Sequence, residues 1–394
     1  MSVTTGIDGP PKVAFFNDPK VRSIGVQAIL IAVIIFFGWQ MVQNTLANLE
    51  RANIASGWGF LDTTAGFDLS FTLIPYSESS TYGRAITVGV LNTLLVAFCG
   101  ILTATIIGFV VGVMRLSKNW LVAKVAEIYI EVARNIPLLV QMFIWYKVVL
   151  AALPNPREAW SIGGTVFLSN RGITIPKFIW GDGAWMIVVA VIAAIVGIVF
   201  LRKWAHKRQE ATGEQFPVFL TSLAIFFGLP LLTYFALGAP VEFEFAEQGN
   251  FNLRGGVGLV PEFAALYFAL SVYTASFIAE IVRSGILAVN RGQTEASYAL
   301  GLRPNPALRL VVIPQAMRVI IPPLASQYLN LTKNSSLAVA IGFPELVAAG
   351  GTVMNQSGQA VEIIVIWMAV YLTISLLTSA FMNWFNSRMK LVER

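Results

Sequence analysis

Long, uninterrupted runs of apolar residues are the feature that most constrains the fold of this chain. Residues 184–201, for example, read AWMIVVAVIAAIVGIVFL and contain no charged side chain. A run of this length can cross the hydrocarbon layer of a bilayer as a helix. Lipid offers no partner to backbone polar groups, so only helices and closed barrels span membranes. Because the runs are continuous rather than alternating, we predict helices.

Eight runs have a suitable length: 24–44, 84–114, 124–150, 184–201, 217–238, 260–288, 321–346 and 360–386. Only 12 % of the residues are charged, against about 25 % in soluble proteins. We therefore predict an all-α integral membrane protein with about eight transmembrane helices. The first run exceeds the apolar core of a secretory signal, which has about 7–15 residues. It predicts a retained span, with cleavage near Ala47 as the alternative.

The basic residues are distributed unequally along the chain. Most of the 27 Lys and Arg residues fall in the N-terminal tail, after the second, fourth and sixth runs, and at the C-terminus. Cytoplasmic loops of membrane proteins carry such an excess. Both termini are therefore expected in the cytoplasm. The same explanation covers the net charge of +6, so no nucleic-acid partner is expected.

The loops on the opposite side are rich in aromatic residues, Gly and Pro. Residues 45–83 are expected to hold an interfacial helix. Residues 151–183 and 239–259 fit either a folded extracytoplasmic cap or simple solvated loops, and the sequence leaves both interpretations open.

No chemistry of its own is indicated for the chain. It contains no Gly-Lys pair, and therefore no phosphate-binding loop of the G-x-x-x-x-G-K-S/T type. Its one cysteine, Cys99, lies in an apolar run, and its one histidine, His206, lies in a basic loop. We therefore expect no catalytic residues, no metal site and no bound cofactor.

The segment EASYALGLRPNPALRLVVIP, residues 295–314, has a more elaborate sequence than a simple connection requires. Asn290 or Thr294 can cap a helix here, with Glu295 expected in its first turn. Gly301 is expected to end this helix. One face of this predicted helix carries small and apolar residues: Ala296, Ala299 and Leu300.

A second short helix is expected after a turn at residues 303–306. Leu308, Val311 and Val312 share one face, and Pro314 is expected to end the helix. Exposed on the cytoplasmic side, the small-residue face suits insertion into a groove on a partner. The alternative is an amphipathic loop lying on the membrane surface.

This segment resembles the EAA loop of type I ABC importer permeases, which reads E-A-A, three residues, G, nine residues, then I-x-L-P. The spacing is kept, with Ser in place of the third residue, Val for Ile and Ile for Leu. The resemblance implies a coupling helix that contacts a separate ATPase. The residues implied in this coupling are Glu295, Ala296, Ser297, Gly301, Arg303 and Pro314.

Three further runs are similar to the polar amino-acid branch of that family. They are ARNIPLLVQ (133–141), YTASFIAEIVRSGI (273–286) and KNSSLAVAIGFPEL (333–346). The resemblance covers about 84–153 and 259–387 and implies a five-helix core. We predict an N-terminal part at 1–83, a permease domain at 84–387 and a tail at 388–394. An insertion at about 155–258 carries two extra helices, as in the long subunit of general L-amino-acid importers.

Polar residues inside apolar runs mark either a pathway or contacts between helices. Candidates for the substrate pathway are Arg134, Gln141, Glu280, Asn330, Lys333, Asn334 and Ser335. Glu280 can instead pair with Arg283, three residues along the helix. Gly108 and Gly112 are expected to be packing positions.

The resemblance implies the permease subunit of an ATP-driven importer that moves L-amino acids across the bacterial inner membrane by alternating access. Implied partners are a second permease in a heterodimer, a cytoplasmic ABC ATPase dimer that binds ATP and Mg²⁺, and a periplasmic amino-acid-binding protein. An ion-coupled secondary carrier is the alternative, although no internal repeat supports it. A membrane scaffold is a third possibility.

Overall fold

The computed structural model describes residues 19–51, 56–249 and 252–388. The predicted cytoplasmic tails therefore lie mostly outside the described residues. The described chain is largely helical. Its α-helices are Pro19–Arg51 (α1), Tyr82–Met114 (α2), Trp120–Asn135 (α3), Leu138–Phe143 (α4), Trp185–Thr212 (α5), Val218–Ala236 (α6), Pro261–Leu287 (α7), Arg291–Ala299 (α8), Pro304–Ala307 (α9), Ile313–Asn334 (α10), Leu346–Ser357 (α11) and Ala360–Arg388 (α12).

Seven helical segments among these residues are long and apolar enough to cross a bilayer, and an eighth is added if α3 and the segment after it form one span. The prediction of about eight transmembrane helices is confirmed. The predicted third span, 124–150, is however not straight, because the helix axis bends by 104° between its two halves. Pro137 causes the break: it disfavours helical backbone at Ile136, which has φ −91° and ψ 125°. After α4 the chain continues as a π-helix, Ile144–Leu150.

The core forms around α7, which packs most extensively against α2. Gly108 and Gly112 of α2 lie at this contact, as expected. A Cβ atom on Gly108 would lie 2.5 Å from Cγ2 of Ile278 in α7. Small residues of α7, such as Ala275 and Ala279, are fully buried at the same contact. The two backbones can therefore approach closely, as small residues allow in membrane helices.

The second predicted half of the cytoplasmic segment is not a separate helix. From Pro304 to Ile341 the chain forms one continuous helical segment. It runs through α9, the π-helical Leu308–Val312, α10 and the 3-10 turns of Ser335–Ile341. Pro314 therefore lies in the first turn of α10 and does not end a helix. Pro314 instead comes just after the π-helical Leu308–Val312, where the helical hydrogen-bonding pattern changes. Residues 321–341 of the predicted seventh span, 321–346, thus form the C-terminal part of this segment, which ends before Gly342.

The outer ends of α2 and α12 are joined to the segment at 56–81. In that segment the interfacial helix expected from the sequence is a short 3-10 helix, Trp58–Asp62. Asn92, fully buried in α2, donates to the carbonyl oxygens of Phe71 and Pro344 at 3.0 and 2.8 Å. The Glu362 carboxylate of α12 accepts from the Gly57 N–H at 2.8 Å. These bonds fix the outer segment to the helical core.

The two outer loops around α5 and α6 fold together as β-structure, which the sequence interpretation did not anticipate. The strands are Trp160–Ile162 (β1), Val166–Ser169 (β2), Gly172–Ile175 (β3), Lys177–Trp180 (β4), Val241–Glu244 (β5), Glu247–Gln248 (β6), Leu253–Arg254 (β7) and Val257–Leu259 (β8). One antiparallel sheet has the order β1-β2-β3-β8, while β4 pairs with β5 and β6 with β7. The structure therefore supports folded loops rather than simple solvated loops.

The helices α5 and α6 form a hairpin that continues into the β4–β5 ribbon. Among the described residues, each of these helices packs extensively only against the other. Small residues of α5, including Ala190 and Ala194, are buried at their contact. Only 11 % and 6 % of their most apolar stretches are buried. Most of the hairpin surface therefore suits contact with lipid.

Candidate functional site

The helix α8 is bounded by two local signals that the sequence predicts. Its N-cap is Asn290, whose side-chain oxygen accepts from the Gly292 N–H at 2.8 Å. Its end is set by Gly301, with φ +81°. The Gly301 N–H donates to the Tyr298 carbonyl at 2.9 Å and the Leu302 N–H to that of Ser297 at 3.1 Å. This is a Schellman motif, which favours glycine because of the left-handed backbone.

Two details of the predicted loop are corrected. Glu295 does not lie in the first turn of α8, because the helix already begins at Arg291. The Asn290 cap, rather than Thr294, sets this earlier start. Ser297 is buried and its hydroxyl donates to the Thr294 carbonyl at 2.7 Å. Ser297 therefore stabilises the loop itself and is not presented to a partner.

The other face of α8 is open. Ala296 and Ala299 are exposed, and Leu300 is 83 % exposed. Beside this face lies a cavity of about 290 Å³ between the end of α7, α8 and α9. Its lining includes Tyr298 and Leu308. An exposed small apolar face next to a cavity is suited to contact with another protein surface.

A second site is a cleft of about 230 Å³ between α3, α7 and α10. It brings together two of the predicted pathway residues, Arg134 at the end of α3 and Glu280 in α7. The Arg134 guanidinium lies 5.1 Å from the centre of the Phe277 ring. No carboxylate of the described residues forms an ion pair with Arg134. The Arg134 charge does interact electrostatically with Glu280, so the cleft presents a cation and a carboxylate together.

Glu280 makes the predicted pair with Arg283. The Arg283 Nη2 atom donates to Glu280 Oε1 at 2.6 Å, and Arg283 Nε lies 3.0 Å from Oε2. The Ser284 hydroxyl donates to the same carboxylate at 3.3 Å. The side chains of Glu280 and Arg283 stay about 30 % exposed, at 28 % and 32 %. Glu280 thus lines the cleft, and its carboxylate keeps further acceptor capacity while paired with Arg283.

Gln141 does not line this cleft. Its side chain is buried, and its amide donates to the carbonyl oxygens of Ala133 and Ile136 at 2.7 and 2.9 Å. These are carbonyls at the break that Pro137 makes between α3 and α4. Contact of Gln141 with substrate remains a prediction, but its geometry in the structure is that of a brace for the bend.

The polar residues of α10 lie apart from the cleft, nearer the outer end of the helix. Asn330 and Lys333 are exposed and Asn334 is half-buried. Ser335 is buried and its hydroxyl donates to the Thr332 carbonyl at 2.7 Å. Gln327, Asn330 and Asn334 follow the i, i+3, i+7 spacing of one helix face, so α10 carries a polar stripe that begins at the cleft.

Phe277, Ser284 and Gln327 are among the cleft-wall residues that sequence reasoning missed. Helical spacing offered a signal for them. Phe277 and Ser284 lie three before and four after Glu280, and Gln327 lies three before Asn330.

Residues 215–391 match the family described as binding-protein-dependent transport system inner membrane component. The chain is also 56 % identical over 377 residues to the general L-amino acid transport system permease protein AapQ of Rhizobium johnstonii, covering 96 % of this chain and 94 % of the relative. The chain belongs to this family of ABC importer permeases. It is also 40 % identical over 422 residues to the glutamate/glutamine/aspartate/asparagine transport system permease protein BztB of Rhodobacter capsulatus, covering 98 % and 99 %.

Family membership confirms several predictions. The chain is a multi-pass membrane permease and not itself an enzyme, since the ATPase of an ABC importer is a separate subunit. Its partners include that ATPase and a substrate-binding protein. The secondary-carrier and scaffold alternatives are excluded by the same finding.

Proposed function

We propose that this permease imports L-amino acids, with a broad preference for polar and charged ones. Two relatives that align with nearly the whole chain are named for amino acids. An amino acid is a zwitterion and needs a cation for its carboxylate and acceptors for its ammonium group. The cleft offers the Arg134 guanidinium at one side and the Glu280 carboxylate and Ser284 hydroxyl at the other.

We propose further that the pathway continues along α10, from the cleft to Asn330, Lys333 and Asn334. Exposed polar groups on a membrane-spanning helix are costly against lipid. These side chains are exposed in the single chain, and we therefore expect a second permease to cover them. The pathway would then run between the two permeases. Ser335 and Gln141 are buried and act as supports of this route.

The observation that carries the proposal is the direct connection between the two sites. The exposed face of α8 ends at Gly301, and the helical segment Pro304–Ile341 begins three residues later. That segment carries one wall of the cleft and the polar stripe. Movement of α8 by the ATPase is therefore expected to change the cleft. Glu295, Ala296 and Arg303 are exposed and are proposed to contact the ATPase.

The partner subunit is proposed to be a different permease, so that the pair is a heterodimer. Both termini are proposed to lie in the cytoplasm of a bacterium and the β-structure on the periplasmic side of the inner membrane. Residues 84–387 form the proposed permease domain, with the α5–α6 hairpin and its strands as the insertion at about 155–258. The chain itself is proposed to bind no cofactor, with ATP and Mg²⁺ on the ATPase dimer.

The mechanism that fits these parts is alternating access. A loaded binding protein docks on the periplasmic side, ATP closes the ATPase dimer, and the α8 helices of both permeases move with it. The cleft then opens outward and receives the amino acid. ATP hydrolysis then lets the ATPase dimer open, and the permease returns to the inward-open state.

The test is uptake of radiolabelled amino acids into proteoliposomes that hold the complete importer with its binding protein outside. We expect uptake that needs ATP inside the vesicles and is competed by several unlabelled L-amino acids. Uptake of an unrelated solute, such as a sugar, with no amino-acid competition would refute the substrate class.

A second experiment tests the coupling face. Leu300→Asp places a charge on a side chain that is 83 % exposed, so the fold is expected to persist. We expect the tagged variant to lose the ATPase on purification. The control is Gln215→Asp, which adds the same charge to an exposed position in the α5–α6 connection. Equal ATPase recovery with both variants would contradict the assignment of α8 as the coupling helix.

A further inference from the structure

The end of the α5–α6 hairpin opposite the β4–β5 ribbon contains a cavity that the transport route does not use. Its volume is about 300 Å³. One wall is a polar stripe on α5, formed by Arg202, His206 and Gln209 at i, i+4 and i+7. Phe216 and Val218 form the facing wall. The cavity therefore has polar groups on one side and apolar groups on the other.

The polar wall belongs to the most basic part of the hairpin. Arg202, Lys203, Lys207 and Arg208 fall within two turns of α5. Arg208 is engaged with Glu214 at 2.9 Å. The other three cations have no ion-pair partner among the described residues. Of these three, Arg202 lines the cavity, while Nδ1 of the lining His206 lies 3.4 Å from the Glu210 carboxylate. The unpaired charge of Arg202 favours an anion.

The surface that leads from this cavity toward the membrane is strongly apolar. Val199 and Phe200 of α5 are 48 % and 66 % exposed, and Phe219 and Leu220 of α6 are 77 % and 66 % exposed. Because the hairpin packs extensively only on itself among the described residues, these side chains are left open to contact lipid. A ligand that fills the cavity can therefore extend its apolar part along them.

We propose that this cavity binds the phosphate group of an anionic phospholipid of the cytoplasmic leaflet. Arg202 and the Gln209 amide donate to the phosphate oxygens, and the acyl chains lie along Phe200 and Phe219. A free phosphate shares the anionic group but gains nothing from the apolar surface. If the basic residues only set the orientation of the protein in the membrane, they need not line a cavity. If they bind a lipid headgroup, changing a single residue of the cavity wall should weaken binding.

The experiment measures thermal unfolding of the purified importer complex in neutral detergent with added lipid. The probes are phosphatidylglycerol, the zwitterionic phosphatidylcholine and inorganic phosphate. We expect a saturable rise in the unfolding temperature with phosphatidylglycerol alone. A similar rise with phosphatidylcholine would overturn the requirement for an anionic group. A similar rise with inorganic phosphate would overturn the assignment to a lipid.

The decisive variant is Gln209→Glu, which places a carboxylate in the wall and leaves every basic residue in place. We expect it to weaken phosphatidylglycerol binding about fivefold or more. Gln215→Glu, exposed and outside the cavity, adds the same charge and is expected to bind like the wild type. Arg202→Gln provides an independent test and is expected to bind about fivefold more weakly. Wild-type affinity in both wall variants, measured by native mass spectrometry of bound lipid, would overturn the proposal.

Discussion

Gly112 of α2 lies so close to α7 that a Cβ atom on it would be 2.7 Å from the Ala279 carbonyl oxygen. That atom belongs to the helix backbone and cannot move aside as a flexible side chain does. The close approach of α2 and α7 therefore depends on the absence of a side chain at this position.

Gly112→Ala is expected to destabilise the permease by about 1–3 kcal/mol, the usual cost of forcing an extra methyl group into a packed contact. The measurement is the unfolding temperature in detergent. The control is Gly197→Ala in α5, where a Cβ atom meets nothing within 4 Å. There alanine is expected to cost nothing, because it favours a helix more than glycine does. Equal unfolding temperatures of the two variants would contradict this account of the α2–α7 contact.

Gly301→Ala is expected to reduce coupling between ATP hydrolysis and transport. Left-handed backbone costs a residue with a side chain about 1–2 kcal/mol, so the turn after α8 rearranges in part. The measurement is transport per ATP hydrolysed in proteoliposomes. Gly213→Ala is the matched control, since Gly213 also ends a helix with positive φ, +75°, but lies away from α8. A fall in the transport ratio with both variants would point to general loss of stability.

Arg134→Gln is expected to raise the KM for amino-acid uptake by about ten- to a hundredfold, because the substrate loses a charged hydrogen bond of about 1.5–3 kcal/mol. Arg134→Lys is expected to restore part of the loss. Lys147→Gln serves as the control: Lys147 also lies over an aromatic ring, at 4.7 Å from the centre of Tyr146, but not in the cleft. An unchanged KM in Arg134→Gln would remove Arg134 from the pathway.

Gln141→Leu separates a structural role from contact with substrate. Loss of the amide leaves the Ala133 and Ile136 carbonyls without this donor, and each unsatisfied group costs about 1–3 kcal/mol. We expect a lower unfolding temperature with an unchanged KM among the importers that remain folded. A raised KM at wild-type unfolding temperature would instead support the interpretation from sequence that Gln141 lies on the pathway.

Local signals predicted the parts of the fold that depend on local chemistry. Asn290 and Gly301 set the ends of α8 because a cap oxygen and a left-handed glycine act within a few residues. The start of the next helix was harder to predict, because Pro304 and Pro306 look like turn residues. Both are accommodated in a first turn, where their missing N–H groups cost nothing.

The cleft and the β-structure depend on contacts between distant parts of the chain. Arg134 and Glu280 were identified singly, but nothing in their spacing shows that α3 and α7 place them together. Phe178 and Phe243 belong to strands that pair across the whole α5–α6 hairpin. Their segments have only four residues each, too short for an alternating pattern to stand out from an aromatic loop.

Because the chain is continuously helical from Pro304 to Ile341, a rotation at one end of this segment would move the other end. At about 1.5 Å per residue, the 38 residues of this segment extend roughly 57 Å if fully helical. A rotation of only about 5° at the α8 end would then displace the far end by about 5 Å. That displacement is comparable to the width of an amino-acid side chain. A small movement at the α8 end would thus be amplified at the far end of the segment, beyond the cleft and the polar stripe.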